Sequence, residues 1–118
     1  MSKKKRYDFF GTPGDIVNLI KSLPPTPNQA FLQEWHECVT ENNPVYFLHR
    51  EFYHKQTKLR ARFDLGQEGK QGFEAKDHWH VYNPFTKSKL DMYFNKDGKP
   101  VKDGAYPSHI IPEKDGDD

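Results

Sequence analysis

Residues 58–65 read Lys58-Leu59-Arg60-Ala61-Arg62-Phe63-Asp64-Leu65, and residues 77–82 read Asp77-His78-Trp79-His80-Val81-Tyr82. In an extended chain, successive side chains point to opposite faces. The first stretch puts Leu59, Ala61, Phe63 and Leu65 on one face and Lys58, Arg60, Arg62 and Asp64 on the other. In the second, Trp79 and Val81 oppose His78, His80 and Tyr82. Leu90, Met92 and Phe94 alternate in the same way with Asp91, Tyr93 and Asn95. Such alternation marks half-buried strands, so the sheet has one apolar and one polar face. Other parts of the chain must cover the apolar face.

Upstream lie two helical patterns. Thr12 can cap a helix that begins at Pro13, with Asp15 at the capping-box spacing. Ile16, Leu19, Ile20 and Leu23 form its stripe, and Pro24-Pro25 stops it. A second start follows at Thr26-Pro27, with Gln29 three residues after Thr26. Phe31, Leu32, Trp35, Cys38 and Val39 recur at helical spacing up to Asn42-Asn43-Pro44. Val45 to His54 reads as a further strand, Asn95 to Gly98 as a turn, and Tyr106 to Pro112 as a short closing segment. The expected fold class is α+β, with two N-terminal helices packed on an antiparallel sheet of about four strands. The expected organisation is a single domain over 1–118, divided into a flexible basic N-terminus (1–8), a helical hairpin (12–43), a β-sheet region (45–112) and a disordered acidic tail (113–118).

Composition agrees with a small domain whose core is built from rings. The chain has 118 residues, too few for two independent cores. Its 9 Phe, 6 Tyr and 2 Trp outnumber Leu, Ile and Val combined. Phe31, Trp35, Phe63, Trp79 and Phe94 are the expected core rings, whereas Tyr82 and Tyr93 fall on the polar face. A net charge of +1 conceals a basic middle, Lys55 to Lys76, offset by the acidic end. No apolar run is long enough to span a membrane. The basic opening MSKKKRYDFF lacks the apolar core and cleavage site of a secretory signal. The single Cys38 excludes an internal disulfide and a four-cysteine zinc site, as suits a reducing cytoplasm. It falls on an apolar stripe, as a core residue would.

The polar face carries the chemistry. If Leu59, Phe63, Trp79, Val81, Leu90 and Phe94 face the helices, the opposite face displays Arg60, Arg62, His78, His80, Tyr82 and Tyr93. Histidine both takes and gives protons near pH 7. Arginine stabilises charge developing on a phosphoryl oxygen. Two histidines and an arginine suffice for RNA cleavage without a metal, one imidazole acting on the 2′-OH and the other on the leaving oxygen. A solvated, purely polar sheet face accounts for the same pattern. His78-x-His80 also suits a metal, with a third ligand such as Asp77 or His109. Asp77 leaves its strand on the opposite face, which weakens it as a partner.

Several stretches together carry a resemblance. They are Arg62-Phe63-Asp64-Leu65-Gly66, Gly69 to Glu74, Asp77 to Pro84, Tyr93 to Val101 and Ser108-His109-Ile110. In this order they resemble the C-terminal toxin domains of bacterial polymorphic toxins, over about residues 59–112. That likeness implies a compact helix-plus-sheet nuclease, acting on tRNA or rRNA in the cytoplasm of a target cell and paired with a cognate immunity protein. It implies that Arg62, His78, His80, Asn83, Ser108 and His109 belong to a site.

The resulting expectation is a metal-independent endoribonuclease that needs no cofactor and works as a monomer away from membranes. Its catalytic residues would be His78, His80, Arg62 and His109. Arg60, Tyr82, Asn83, Tyr93, Ser108 and Lys76 would hold substrate. The alternatives are a metal-dependent HNH-like nuclease and a non-catalytic module that binds nucleic acid or protein through Arg60, Arg62 and exposed aromatics.

Overall fold

The computed structural model describes residues 9–38, 49–66, 69, 71–72 and 76–112. The expected basic N-terminus, the acidic tail and the helix end at Asn42-Asn43-Pro44 lie outside these residues. The fold is α+β, with one α-helix and one six-stranded antiparallel sheet among the described residues.

Helix α1 spans Pro13–Lys21. The Thr12 Oγ1 accepts from the Asp15 amide at 3.2 Å, and Asp15 Oδ2 accepts from the Thr12 amide at 2.8 Å. This reciprocal cap satisfies two amide donors that a helix start otherwise leaves unpaired. Ile16 and Ile20 bury the inner stripe of α1, joined by Leu23 just beyond it.

The sheet is a meander with strands in sequence order. Its strands are β1 (Trp35–Glu37), β2 (His49–His54), β3 (Arg60–Asp64), β4 (His78–Tyr82), β5 (Tyr93–Phe94) and β6 (Pro100–Val101). The two deciding stretches form β3 and β4 and pair directly: Ala61 lies opposite Val81, Arg62 opposite His80, Phe63 opposite Trp79 and Asp64 opposite His78. Phe52, Ala61, Phe63, Trp79, Val81 and Phe94 face α1 and build the core with Trp35, Leu59, Ala30 and Ile110. Trp79 is its centre. It is wholly buried, with ring centroids of Phe63 and Phe52 at 5.2 and 5.4 Å. Its indole N–H donates to the Pro24 carbonyl at 2.8 Å, tying the sheet to the chain just after α1.

Two expectations need correction. Among the described residues the second helix does not form. Pro27–Gln33 is a 3-10 helix, Glu34 takes a left-handed φ of 66°, and the chain continues as β1. Trp35 pairs with His54 and Glu37 with Phe52 in an antiparallel ladder. The left-handed residue ends the helical turn, and the β2 edge supplies backbone partners that a helix would not need. Leu32, read as part of the apolar stripe, is exposed.

The sheet also has more strands than expected, because β1 and the short β6 extend it at both ends. Leu90, read as inward-facing, lies instead in a 3-10 turn over Lys89–Asp91 and is 72 % exposed. The turn before β6 is as expected. Asn95 Oδ1 accepts from the amides of Asp97 and Lys99, and Gly98 supplies a φ of +83°. Among the described residues, no helix is long and apolar enough to cross a membrane.

Candidate active site

Register assembles the polar face. Asp64, Arg62 and Arg60 leave β3 on the side away from α1, and His78, His80 and Tyr82 leave β4 on the same side. Because Asp64 lies opposite His78, and Arg62 opposite His80, the four side chains form a block on adjacent strands. Tyr93 comes from β5, opposite Tyr82.

His109 arrives from far along the chain. Beyond the short β5, the first half of β4 has a vacant edge, and Ile110 fills it with a two-bond bridge to Trp79, at 2.8 and 2.9 Å. Ile110 thus joins Trp79 in the core, so its neighbour His109 points to the opposite face. The rings of His78, His80 and His109 form a near-equilateral triangle, with centroids 4.8–4.9 Å apart.

The sheet centre on this side is not solvated. His78 and His80 are each 5 % exposed and Asp64 is 6 % exposed. His109 is only half-buried. Arg62 keeps about a quarter of its side chain open, at 26 %.

Asp64 is the hub, and it was absent from the sequence-derived set. Its two oxygens accept a fork of bonds from Arg62, Nε at 2.7 Å and Nη2 at 2.8 Å. Oδ2 also lies 3.4 Å from His78 Nε2 and 3.3 Å from His80 Nε2. Alternation already placed Asp64 beside Arg62, and that was the available signal.

The electrostatics follow from these partners. Burial opposes ionisation of Asp64, but His78, His80 and Arg62 outweigh it and hold the carboxyl well below the usual range. Arg62 is likewise penalised by burial, yet its bonds and charge pairing with Asp64 raise its pKa further. The two strand histidines are pushed apart. Burial disfavours charge on His78, but Asp64 and the Lys76 carbonyl, which accepts its Nδ1–H at 2.8 Å, raise its pKa. For His80, burial dominates and its pKa falls. Its Nδ1 is buried and has no hydrogen-bond partner among the described residues. His109 donates Nδ1–H to the Tyr106 carbonyl at 2.9 Å, which presents Nε2 as its lone-pair nitrogen.

The remaining candidates divide. Tyr93 stacks on His80, with centroids 5.0 Å apart, and on Tyr82 at 5.2 Å. The Tyr82 hydroxyl donates to Glu51 Oε2 at 2.9 Å, and burial followed by the Glu51 charge raises its pKa. Lys76 is exposed and touches the cluster through its carbonyl. Arg60 lies two residues before Arg62 on the same face and near Cys38, where burial raises the thiol pKa and the Arg60 charge opposes that rise. Asn83 and Ser108 are buried and bonded to backbone: Asn83 bridges Asp91 O and Phe85 N, and Ser108 Oγ donates to Ala105 O. They shape the turns that flank Tyr82 and His109. Asp77 is exposed and accepts from the Gly66 amide at 2.7 Å, which anchors the loop after β3.

The arrangement offers imidazoles of opposed protonation preference beside a guanidinium, with His109 and Arg62 as its open members. It can move protons at a bound phosphate. The same three rings can also hold a metal ion. Comparisons with protein-family models, curated proteins and solved structures find no match to this chain.

Proposed function

We propose that the protein is an endoribonuclease of the toxin type, cleaving RNA by general acid–base chemistry at His109 and His78. One observation carries this reading. Three imidazoles converge within 4.9 Å beside the Arg62–Asp64 pair, on a face whose open members are a histidine and an arginine.

The roles follow from the hydrogen bonds. Arg62 has about a quarter of its side chain exposed, and its Nη1, outside the fork to Asp64, is the group that would donate to the phosphodiester. His109 Nε2 takes the proton from the ribose 2′-OH as that oxygen attacks phosphorus. His78 has acceptors at both nitrogens, the Lys76 carbonyl and Asp64, and this pairing favours its imidazolium. Its Nε2 proton, which faces Asp64 across the longer 3.4 Å contact, turns to the departing 5′ oxygen as the P–O5′ bond breaks. The products are a 2′,3′-cyclic phosphate and a 5′-hydroxyl end. Asp64 is a positioning residue for Arg62, His78 and His80. Tyr93 packs His80 in place, and Tyr82, Asn83 and Ser108 hold the surrounding backbone. The resemblance to polymorphic toxin domains supports RNA as substrate and adds a cognate immunity protein as partner.

The test is RNA cleavage by the parent, His78→Ala, His109→Ala and Arg62→Ala in excess EDTA. Each histidine variant should lose about 10²- to 10⁴-fold in rate while retaining the parent's circular dichroism. Parent-level cleavage by both histidine variants overturns the proposal, as does parental activity that EDTA abolishes.

A further inference from the structure

Catalysis uses the histidine triangle for its protons, but its lone pairs have a second use. We propose that His78, His80 and His109 together bind one divalent transition-metal ion of the zinc class. The metal site goes beyond the cleavage proposal and is argued from different features of the cluster.

The first feature is convergence. One nitrogen from each of the three rings lies within 4.8 Å of the others. Zinc bonded to imidazole nitrogens at 2.0–2.1 Å in a tetrahedron needs ligands about 3.3 Å apart. Ring movements of about 1 Å close that difference, which side-chain torsions supply without moving the strands.

The second feature is orientation by backbone acceptors. His78 Nδ1–H is held by the Lys76 carbonyl and His109 Nδ1–H by the Tyr106 carbonyl. Metal-ligating histidines are commonly fixed at one nitrogen in this way, and an ion at His78 Nε2 would replace the proton that this nitrogen shares with Asp64, 3.4 Å away. The two carbonyls are unrelated in sequence, one preceding β4 and one inside the 3-10 turn at Tyr106–Ser108.

The third feature is the orphaned nitrogen. His80 Nδ1 is buried without a hydrogen-bond partner among the described residues. A buried polar atom in this state costs about 1–3 kcal/mol, and a bound cation removes that cost. Tyr93 and Tyr82 wall this side of the cluster with aromatic surface, which keeps water out.

Charge and donor type narrow the ligand. Asp64 places a carboxylate 3.3–3.4 Å from two of the rings, so a dication meets a compensating negative charge. Both Asp64 oxygens already accept from Arg62, which makes Asp64 an orienting partner rather than a fourth ligand. An all-imidazole donor set suits zinc, copper, nickel or cobalt and disfavours magnesium and calcium, which take oxygen. A fourth position remains for water on the half-buried side, where His109 reaches the surface.

An ion bound here occupies the His109 lone pair that takes the 2′-OH proton and displaces the His78 proton that the leaving oxygen needs. It should therefore inhibit cleavage, and this consequence alone rests on the proposed nuclease activity. The test uses the full chain, dialysed against chelator and titrated with Co²⁺. The expected result is one equivalent bound, with the intense visible absorption of a tetrahedral site, reversed by added Zn²⁺. His80→Ala and His109→Ala should each weaken binding at least tenfold, whereas His36→Ala, exposed on β1, should leave it unchanged. Zinc should raise the melting temperature of the parent, and magnesium should not. His109, the more exposed of the two, provides a variant that should fold even if His80→Ala does not. Absence of saturable cobalt binding by the parent overturns the proposal, and so does parental affinity in a folded His109→Ala. Cobalt binding by a protein that cleaves no RNA would overturn the nuclease reading and leave the metal site standing.

Discussion

Replacing Asp64 with Asn removes one charge from the centre of the polar face while keeping its shape. The parent carboxylate accepts two bonds from Arg62, at 2.7 and 2.8 Å, and lies near two histidines. The Asn side chain offers one acceptor oxygen, so half of the fork is lost and an NH₂ group faces cationic donors. Breaking a fully buried ion pair costs about 3–5 kcal/mol. Here the arginine is 26 % exposed, so water recovers part of the loss. The expected destabilisation at pH 7 is about 2–4 kcal/mol.

The pH dependence has a definite sign. Asp64 has an ordinary pKa of 3.8 and a much lower one in the fold. Its contribution is present above about pH 4 and is lost as pH falls below that value. His78 is raised above its ordinary 6.5, so its share is complete below pH 6.5 and is lost as pH rises through the raised value. The variant should therefore show flatter acid and alkaline limbs than the parent. The assay is urea unfolding in EDTA from pH 3 to 9, followed by the fluorescence of Trp35 and Trp79. A variant within about 0.5 kcal/mol of the parent, with the same acid limb, would refute this account of Asp64.

Two further substitutions test the fold around the site. Trp79→Phe leaves the Pro24 carbonyl without its 2.8 Å donor and opens a cavity among Trp35, Phe52 and Phe63; urea unfolding should show a loss of about 2–3 kcal/mol. Gly98→Ala places a Cβ 2.9 Å from Val17 Cγ2 at a φ of +83°, and should lower stability by about 1–3 kcal/mol in the same assay.

What the sequence made legible depended on the range of each interaction. Faces of β3 and β4 were readable because alternation is local, and it placed Arg62, His78, His80 and Tyr82 together correctly. The start of α1 was readable because its cap lies within four residues. Trp35 was not, since Phe31, Leu32, Trp35 and Cys38 fit a helical period and only pairing with β2 makes β1 a strand. Asp64 was overlooked for a related reason. An acidic residue on a polar strand face looks solvated until register sets it opposite His78, and register is a long-range property. His109 entered the expected site through resemblance, and its placement rests on the Ile110–Trp79 bridge, which spans 31 residues of chain.

The most direct test of the central claim is the chemistry of the cut. A defined RNA oligonucleotide and its all-deoxy counterpart should be incubated with the protein in excess EDTA and their ends identified. The acid–base mechanism predicts cleavage of the RNA alone, leaving a 2′,3′-cyclic phosphate and a 5′-hydroxyl. Equal cleavage of the DNA, or no cleavage of either strand, would contradict it.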